Sequence, residues 1–92
     1  VYPSHVEEIL TNHEAILKCA VIGIKNESKG EIVKAFIVLR EGYNNLLTKS
    51  NIQKYMKENL AKLEIPREIR YIDDLPTTLG GKIAYKELEK MD

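Results

Sequence analysis

A lysine near the end of the chain follows two glycines in a pattern that suits anion binding. Gly80 and Gly81 directly precede Lys82 within residues 74–83, DLPTTLGGKI. Glycine reaches positive φ and lets a ligand or another backbone approach closely, and the lysine ammonium is a compact cation with three donors. The hydroxyl of Thr78 can hold a local turn. The alternative is a tight turn carrying an ordinary surface lysine, since exposed lysines are common.

Other residues that could do chemistry form no recognisable site. A P-loop needs a glycine five positions before the Gly-Lys pair and a serine or threonine after it, but Pro76 and Ile83 occupy those positions. His5 and His13 are eight residues apart without ligand-spaced partners, so no metal site is predicted. Cys19 lies in an apolar stretch and is predicted to be a core residue.

Composition limits the class of protein. The 92 residues carry 14 basic and 14 acidic side chains, which argues against a dedicated nucleic-acid binder. No apolar run approaches the roughly 20 residues of a membrane span, and a single cysteine favours a reducing, cytoplasmic location. The chain begins without methionine, and we expect it to be one domain, residues 1–92, of a longer protein.

The first half of the chain predicts a helix followed by two strands. Ser4 and Glu7 fit a capping box, which predicts a helix N-terminus at Ser4 with Glu7 in the first turn. Residues 16–24 are almost continuously apolar, as in a central strand. A polar loop, residues 25–30, separates them from a second strand, residues 31–40, which we expect to be an antiparallel neighbour.

The second half predicts two more helices and one strand. Thr48 is a plausible N-cap for an amphipathic helix over residues 48–61. Ile69 and Tyr71 predict a short third strand, which Ile65 could extend at its start, and residues 84–90 predict a final helix. The predicted fold is therefore α+β, in the order α-β-β-α-β-α, with helices covering a small three-stranded sheet that is mixed or antiparallel.

In combination, these segments resemble the C-terminal domain of adenylate-forming enzymes, the superfamily of acyl-CoA synthetases, amino-acid-adenylating domains and luciferases. The resemblance extends over five segments in the family's order: residues 3–10, 20–24, 29–39, 60–69 and 74–83. The last resembles the signature Leu-Pro-Lys-Thr-x-x-Gly-Lys-Ile. It departs from that signature at Thr77, where many members have lysine, and at Gly80, where Ser, Thr or Asn is common.

The resemblance implies roles for individual residues. It identifies Lys82 as the catalytic lysine of adenylation and Thr78, Gly80 and Gly81 as its substrate or nucleotide loop. The glycines would let the loop enter and leave the active site. Residues 49–67 carry an excess of positive charge that usually marks a solvated helix face; within them, Lys57 aligns with a position that meets the CoA nucleotide in some relatives.

The resemblance also implies ligands and partners. The whole enzyme would use ATP, Mg²⁺ and CoA to join a carboxylic acid to AMP and then to a thiol, and none of these is expected to bind this chain alone. An N-terminal domain would hold the ATP and acyl pockets. A carrier-protein thiol is an alternative acceptor. From other classes, an RNA-binding module and a plain interaction domain remain alternatives.

Overall fold

Three strands form one mixed sheet, which positions every other element of the chain. The computed structural model describes residues 2–28 and 30–91. The elements in chain order are α1 (Pro3–Thr11), β1 (Ile16–Asn26), β2 (Gly30–Leu39), α2 (Leu46–Asn59), a 3₁₀ turn (Lys62–Glu64), β3 (Glu68–Tyr71) and α3 (Tyr85–Glu89). In the sheet, β1 pairs antiparallel with β2, and β2 pairs parallel with β3. The α+β prediction and its element order are confirmed.

The sheet buries side chains on both faces, because successive residues of a strand point to opposite sides. On one face, Val21 and Ala35 pack with residues of α1 and α2 such as Leu10 and Ile52, and we call this group the first core cluster. On the other face lies the smaller second core cluster, which combines Ala20, Ile22, Phe36 and Val38 of the strands with Leu75 and Leu88. The segment after β3, including α3, therefore covers the face opposite α1 and α2.

Both predicted helix N-caps are wrong by two or three residues. Pro3 occupies the start of α1, where its missing N–H costs nothing, so Tyr2 is the N-cap and Ser4 lies inside the helix. Glu7 consequently lies beyond the first turn and has other partners. In α2 the N-cap is Asn45, whose side-chain oxygen accepts a 2.8 Å hydrogen bond from the Thr48 amide.

The strands match the prediction closely, with small differences at their ends. β1 continues two residues past the predicted end, to Asn26, because Asn26 still pairs with Gly30. Ile65 is not part of β3; it follows the 3₁₀ turn and packs against the first core cluster. Among the described residues, no helix is both long and apolar enough to cross a membrane.

Candidate functional site

The predicted anion-binding segment folds as a tight β-hairpin. Thr77 and Ile83 form an antiparallel bridge. Beyond it, the Thr78 amide donates to the Lys82 carbonyl at 2.7 Å, and the Gly81 amide donates to the Thr78 carbonyl at 2.9 Å. These two bonds enclose a three-residue loop whose last residue, Gly81, has φ 82°. This is the geometry of a turn closed by a left-handed bulge residue. We call residues 77–83 the Lys82 hairpin.

The two glycines of the Lys82 hairpin have different backbone conformations. Gly81 adopts a positive φ, which L side chains rarely do. Gly80 has no positive φ, and a Cβ added there would meet the Thr78 hydroxyl oxygen at 3.8 Å, an ordinary contact. Only Gly81 is therefore required by the hairpin geometry itself.

The Lys82 side chain faces solvent, because successive side chains along the hairpin point to opposite sides. Ile83 packs against the second core cluster, so its neighbour Lys82 points the other way and is exposed. The Thr78 hydroxyl accepts a 3.3 Å hydrogen bond from the Lys82 amide, which holds the backbone at that residue. Within residues 2–28 and 30–91, no carboxylate pairs with the Lys82 ammonium. The hairpin thus presents an unpaired cation.

The segment entering the Lys82 hairpin is tied to β1. Lys18 donates a 2.9 Å hydrogen bond to Asp74, which also accepts from the Leu75 amide. The bond from Lys18, followed by the bond from Leu75 and the nearby lysine charge, lowers the pKa of the Asp74 carboxyl. A register shift between Ile16 and Lys18 locally interrupts the pairing with β2, and such bulges re-aim side chains.

The segment leaving the hairpin is tied to α1. Ala84, with φ −86° and ψ 78°, forms a tight turn in which the Tyr85 amide donates to the Ile83 carbonyl. The Tyr85 hydroxyl then lies 2.8 and 3.1 Å from the two carboxylate oxygens of Glu7. Sequence reasoning missed this contact, because the two residues are 78 positions apart and carry no shared motif.

Lys57 lies on the other side of the sheet from Lys82. It is exposed in the last turn of α2, whose buried residues belong to the first core cluster, whereas the Lys82 hairpin packs against the second. The structure therefore brings Thr78, Gly80, Gly81 and Lys82 together and leaves Lys57 apart.

Cys19 and His13 occupy structural positions. Cys19 is buried, and desolvation, followed by the Glu7 charge, raises the pKa of its thiol to about 12. His13 accepts from the Ala15 amide through Nδ1, so its Nε2–H donates to Asn51 at 3.0 Å. In the part of the chain that the structure describes, no three His, Cys, Asp or Glu side chains are arranged to hold a metal ion.

An open cavity that does not involve the hairpin lies where β2 and β3 end. It has a volume of about 390 Å³, and the Lys49 ammonium lies 4.8 Å from the centre of the Tyr71 ring at its wall. Two basic residues, Arg40 and Lys49, and two acidic residues, Glu41 and Asp73, line it. The opposing charges give this cavity no net preference for an anion.

Comparison with known proteins identifies a family that this chain resembles over most of its length. Residues 5–82 match the family described as AMP-binding enzyme C-terminal domain, and the matched region ends at the hairpin lysine. The chain is 43% identical over 90 residues to an acetyl-coenzyme A synthetase of Bacillus subtilis, covering 97% of this chain and 16% of that protein. It is 38% identical over 93 residues to a 4-hydroxybutyrate–CoA ligase of Metallosphaera sedula, covering 100% and 16%.

Solved structures share the fold. An anthranilate CoA ligase, crystallised with anthranoyl-AMP, superimposes with a TM-score of 0.86 at 35% identity, covering 98% of this chain and 18% of that one. An amide bond synthetase from Marinactinospora thermotolerans gives 0.88 at 27% identity, with the same coverage. The chain thus spans less than a fifth of the length of each of these relatives.

Proposed function

The chain belongs to the AMP-binding enzyme C-terminal domain family, and we propose on that basis that it is the lid domain of an ATP-dependent acid–thiol ligase. The whole protein would activate a carboxylic acid as an acyl-adenylate and transfer the acyl group to the thiol of CoA. This domain would supply Lys82 to the first of these two half-reactions. The ATP and acyl pockets would belong to an N-terminal domain.

The observation that carries this proposal is the unpaired cation at the end of a well-defined hairpin. A lysine that stabilised the fold would be paired or packed, whereas Lys82 is exposed and has no carboxylate partner among the described residues. Its backbone is nevertheless held by the bonds that close the hairpin. Such an arrangement suits a charge that is delivered to a partner surface in a fixed direction.

The chemistry of adenylation explains why a cation is needed there. A carboxylate oxygen attacks the α-phosphorus of ATP, the new P–O bond forms, and the bond to pyrophosphate breaks. Two anions must approach each other in this step, and negative charge grows on the leaving group. A lysine ammonium beside the phosphate reduces the repulsion and stabilises that charge. In the second half-reaction the thiol sulfur attacks the acyl carbon and AMP leaves.

Lys82 of this chain suits the phosphate groups of the nucleotide. The Lys82 ammonium is an appropriate partner for a phosphate or carboxylate oxygen. When bound, Mg²⁺ would neutralise phosphate charge, and we assign its ligands, with the ATP pocket, to the N-terminal domain. Lys57, exposed and basic, is our candidate for the CoA 3′-phosphate in the second half-reaction.

CoA is the acceptor that the relatives favour. The curated proteins described above are named as CoA ligases or synthetases at 38–43% identity, while the amide bond synthetase shares 27%. A carrier-protein thiol remains the alternative within the family. Family membership favours this reading over the RNA-binding module and the plain interaction domain. The RNA-binding module is further disfavoured because it would need a basic excess, whereas the net charge of this chain is zero.

The test uses the protein that carries this chain. Each carboxylic acid of a chemically diverse panel is incubated with ATP and Mg²⁺, and pyrophosphate exchange is measured before any acceptor is added. We expect exchange with at least one acid, and thioester formation when CoA is then supplied. Exchange without transfer to CoA, but with transfer to a carrier protein or an amine, would support those acceptors instead. No exchange with any acid would contradict the proposal.

A further inference from the structure

The contact between Tyr85 and Glu7 connects layers on opposite sides of the sheet. Glu7 belongs to α1, which packs on one face, while Tyr85 begins α3, which covers the other. Glu7 Oε2 accepts from the Tyr85 hydroxyl at 2.8 Å and also from the Val21 amide at 2.8 Å. Val21 lies on β1, an edge of the sheet. The carboxylate therefore joins α1, the sheet edge and the segment that leaves the Lys82 hairpin.

Among the described residues, the Lys82 hairpin has few polar attachments to the rest of the domain, although Ile83 packs against the second core cluster. Its own strands pair through one bridge, and α3 has only five residues, of which Leu88 alone is buried. At the far end of α3, the buried Lys34 donates to the Met91 carbonyl at 3.1 Å. Near the hairpin itself, the Glu7 contact is made only three residues after Lys82, whereas the Lys18–Asp74 pair is made eight residues before it.

We propose that the hydrogen bond from Tyr85 to Glu7 fixes the Lys82 hairpin on the domain, so that Tyr85 is a positioning residue for the adenylation lysine. This inference rests on the proposed function of Lys82 and adds a residue that acts through it. The lysine needs such a contact because a misplacement of about 1 Å at a reacting centre costs on the order of 10² in rate.

The ionisation of Tyr85 is consistent with a donor role. Desolvation, followed by the hydrogen bond and charge of Glu7 and the nearby Cys19, raises the pKa of its hydroxyl to about 12. The phenol therefore keeps its proton at neutral pH and donates to the carboxylate. A hydrogen bond to a charged acceptor is stronger than one between neutral groups, although the 40% exposure of Tyr85 lets water compete for it.

Amide hydrogen exchange in the protein that carries this chain tests the positioning directly. The Tyr85→Phe variant removes the hydroxyl and keeps the ring. Tyr55→Phe is the matched control, because the Tyr55 hydroxyl donates a 2.7 Å hydrogen bond to the Ile9 carbonyl, between α2 and α1. We expect the amides of Thr78 and Gly81 to exchange about ten-fold faster in Tyr85→Phe, the effect of losing one such bond, and to be unchanged in Tyr55→Phe.

The kinetic test separates positioning from general stability. Tyr85→Phe should lower the kcat of adenylation about ten-fold, leave the KM for ATP unchanged, and spare thioester formation from supplied acyl-adenylate. In a Lys82→Ala background, Tyr85→Phe should cause no further loss of adenylation, since its effect passes through the lysine. Tyr55→Phe should leave both half-reactions at their original rates.

Several results would overturn the inference. Unchanged exchange in Tyr85→Phe would show that the contact does not hold the hairpin. Equal loss in both half-reactions, or a further loss in the Lys82→Ala background, would show that Tyr85 acts in another way. A Lys82→Ala protein with full adenylation activity would refute the proposed function instead, and the exchange rates would still decide whether Tyr85 fixes the hairpin.

Discussion

Replacing Lys82 by alanine should disable one half-reaction and leave the fold intact. The side chain is exposed and has no carboxylate partner among the described residues, so its removal should change the free energy of unfolding by less than about 0.5 kcal/mol. Loss of one oriented donor at a transition-state anion costs about 3–4 kcal/mol, or on the order of 10²–10³ in rate. The substitution should therefore leave the free energy of unfolding almost unchanged while it greatly lowers the rate of adenylation.

In the protein that carries this chain, the assay measures the two half-reactions of the proposed ligase separately. Pyrophosphate release in a single turnover reports adenylation, and CoA consumption with supplied acyl-adenylate reports transfer. We expect Lys82→Ala to lose adenylation and retain transfer, with an unchanged melting temperature. Lys54→Ala is the control, since it removes another exposed lysine, from α2 on the opposite side of the sheet.

Two outcomes would refute this reasoning. If Lys82→Ala adenylates normally, the unpaired cation is an ordinary surface charge. If both half-reactions fall equally, Lys82 supports the docking of the domain in general and not the chemistry of the phosphate. An equal loss in Lys54→Ala would show that net charge, and not the position of Lys82, controls adenylation.

Three further predictions concern other residues. Lys57→Ala should raise the KM for CoA and leave pyrophosphate release unchanged; unaltered CoA kinetics would make Lys57 a solvated surface charge. Gly81→Ala should lower the free energy of unfolding in urea by about 1–2 kcal/mol, because an L side chain is strained at this positive φ, whereas Gly80→Ala should change it by less than about 0.5 kcal/mol. Because the pKa of Asp74 is lowered in the fold, its pairing with Lys18 stabilises the protein above about pH 4 and is lost as pH falls through the folded value. The stability difference between the wild type and Asp74→Asn should therefore vanish in strong acid, which acid titrations of unfolding can measure.

Local sequence patterns predicted the sheet better than they predicted the helix ends. The apolar runs that became β1 and β2 bury both of their faces, so few alternative structures could accommodate them. A helix N-cap depends on one side chain and can move by a few residues at small cost. Pro3 starts α1 ahead of Ser4, and Asn45 caps α2 ahead of Thr48, although each displaced residue fits the expected pattern.

The candidate site shows the same division between local and long-range information. Gly81 and Lys82 lie three and four positions after Thr78 in sequence, and the hairpin that joins them uses bonds within these five residues. The contacts that hold this hairpin on the domain join Tyr85 to Glu7 and Asp74 to Lys18. Such pairs depend on the packing of layers around β1, and no periodicity within one segment encodes them.

These contacts bear on how Lys82 would move between the two half-reactions. The resemblance implied that Gly80 and Gly81 let the loop enter and leave the active site, as part of a lid. Gly81 is instead held at its positive φ between two hydrogen bonds of a closed hairpin, and Gly80 has no positive φ. A hairpin tied at both ends to β1 and α1 would have to break the Glu7 and Lys18 contacts to swing independently. We therefore expect Lys82 to travel with the whole domain, whose sheet carries the hairpin as one body.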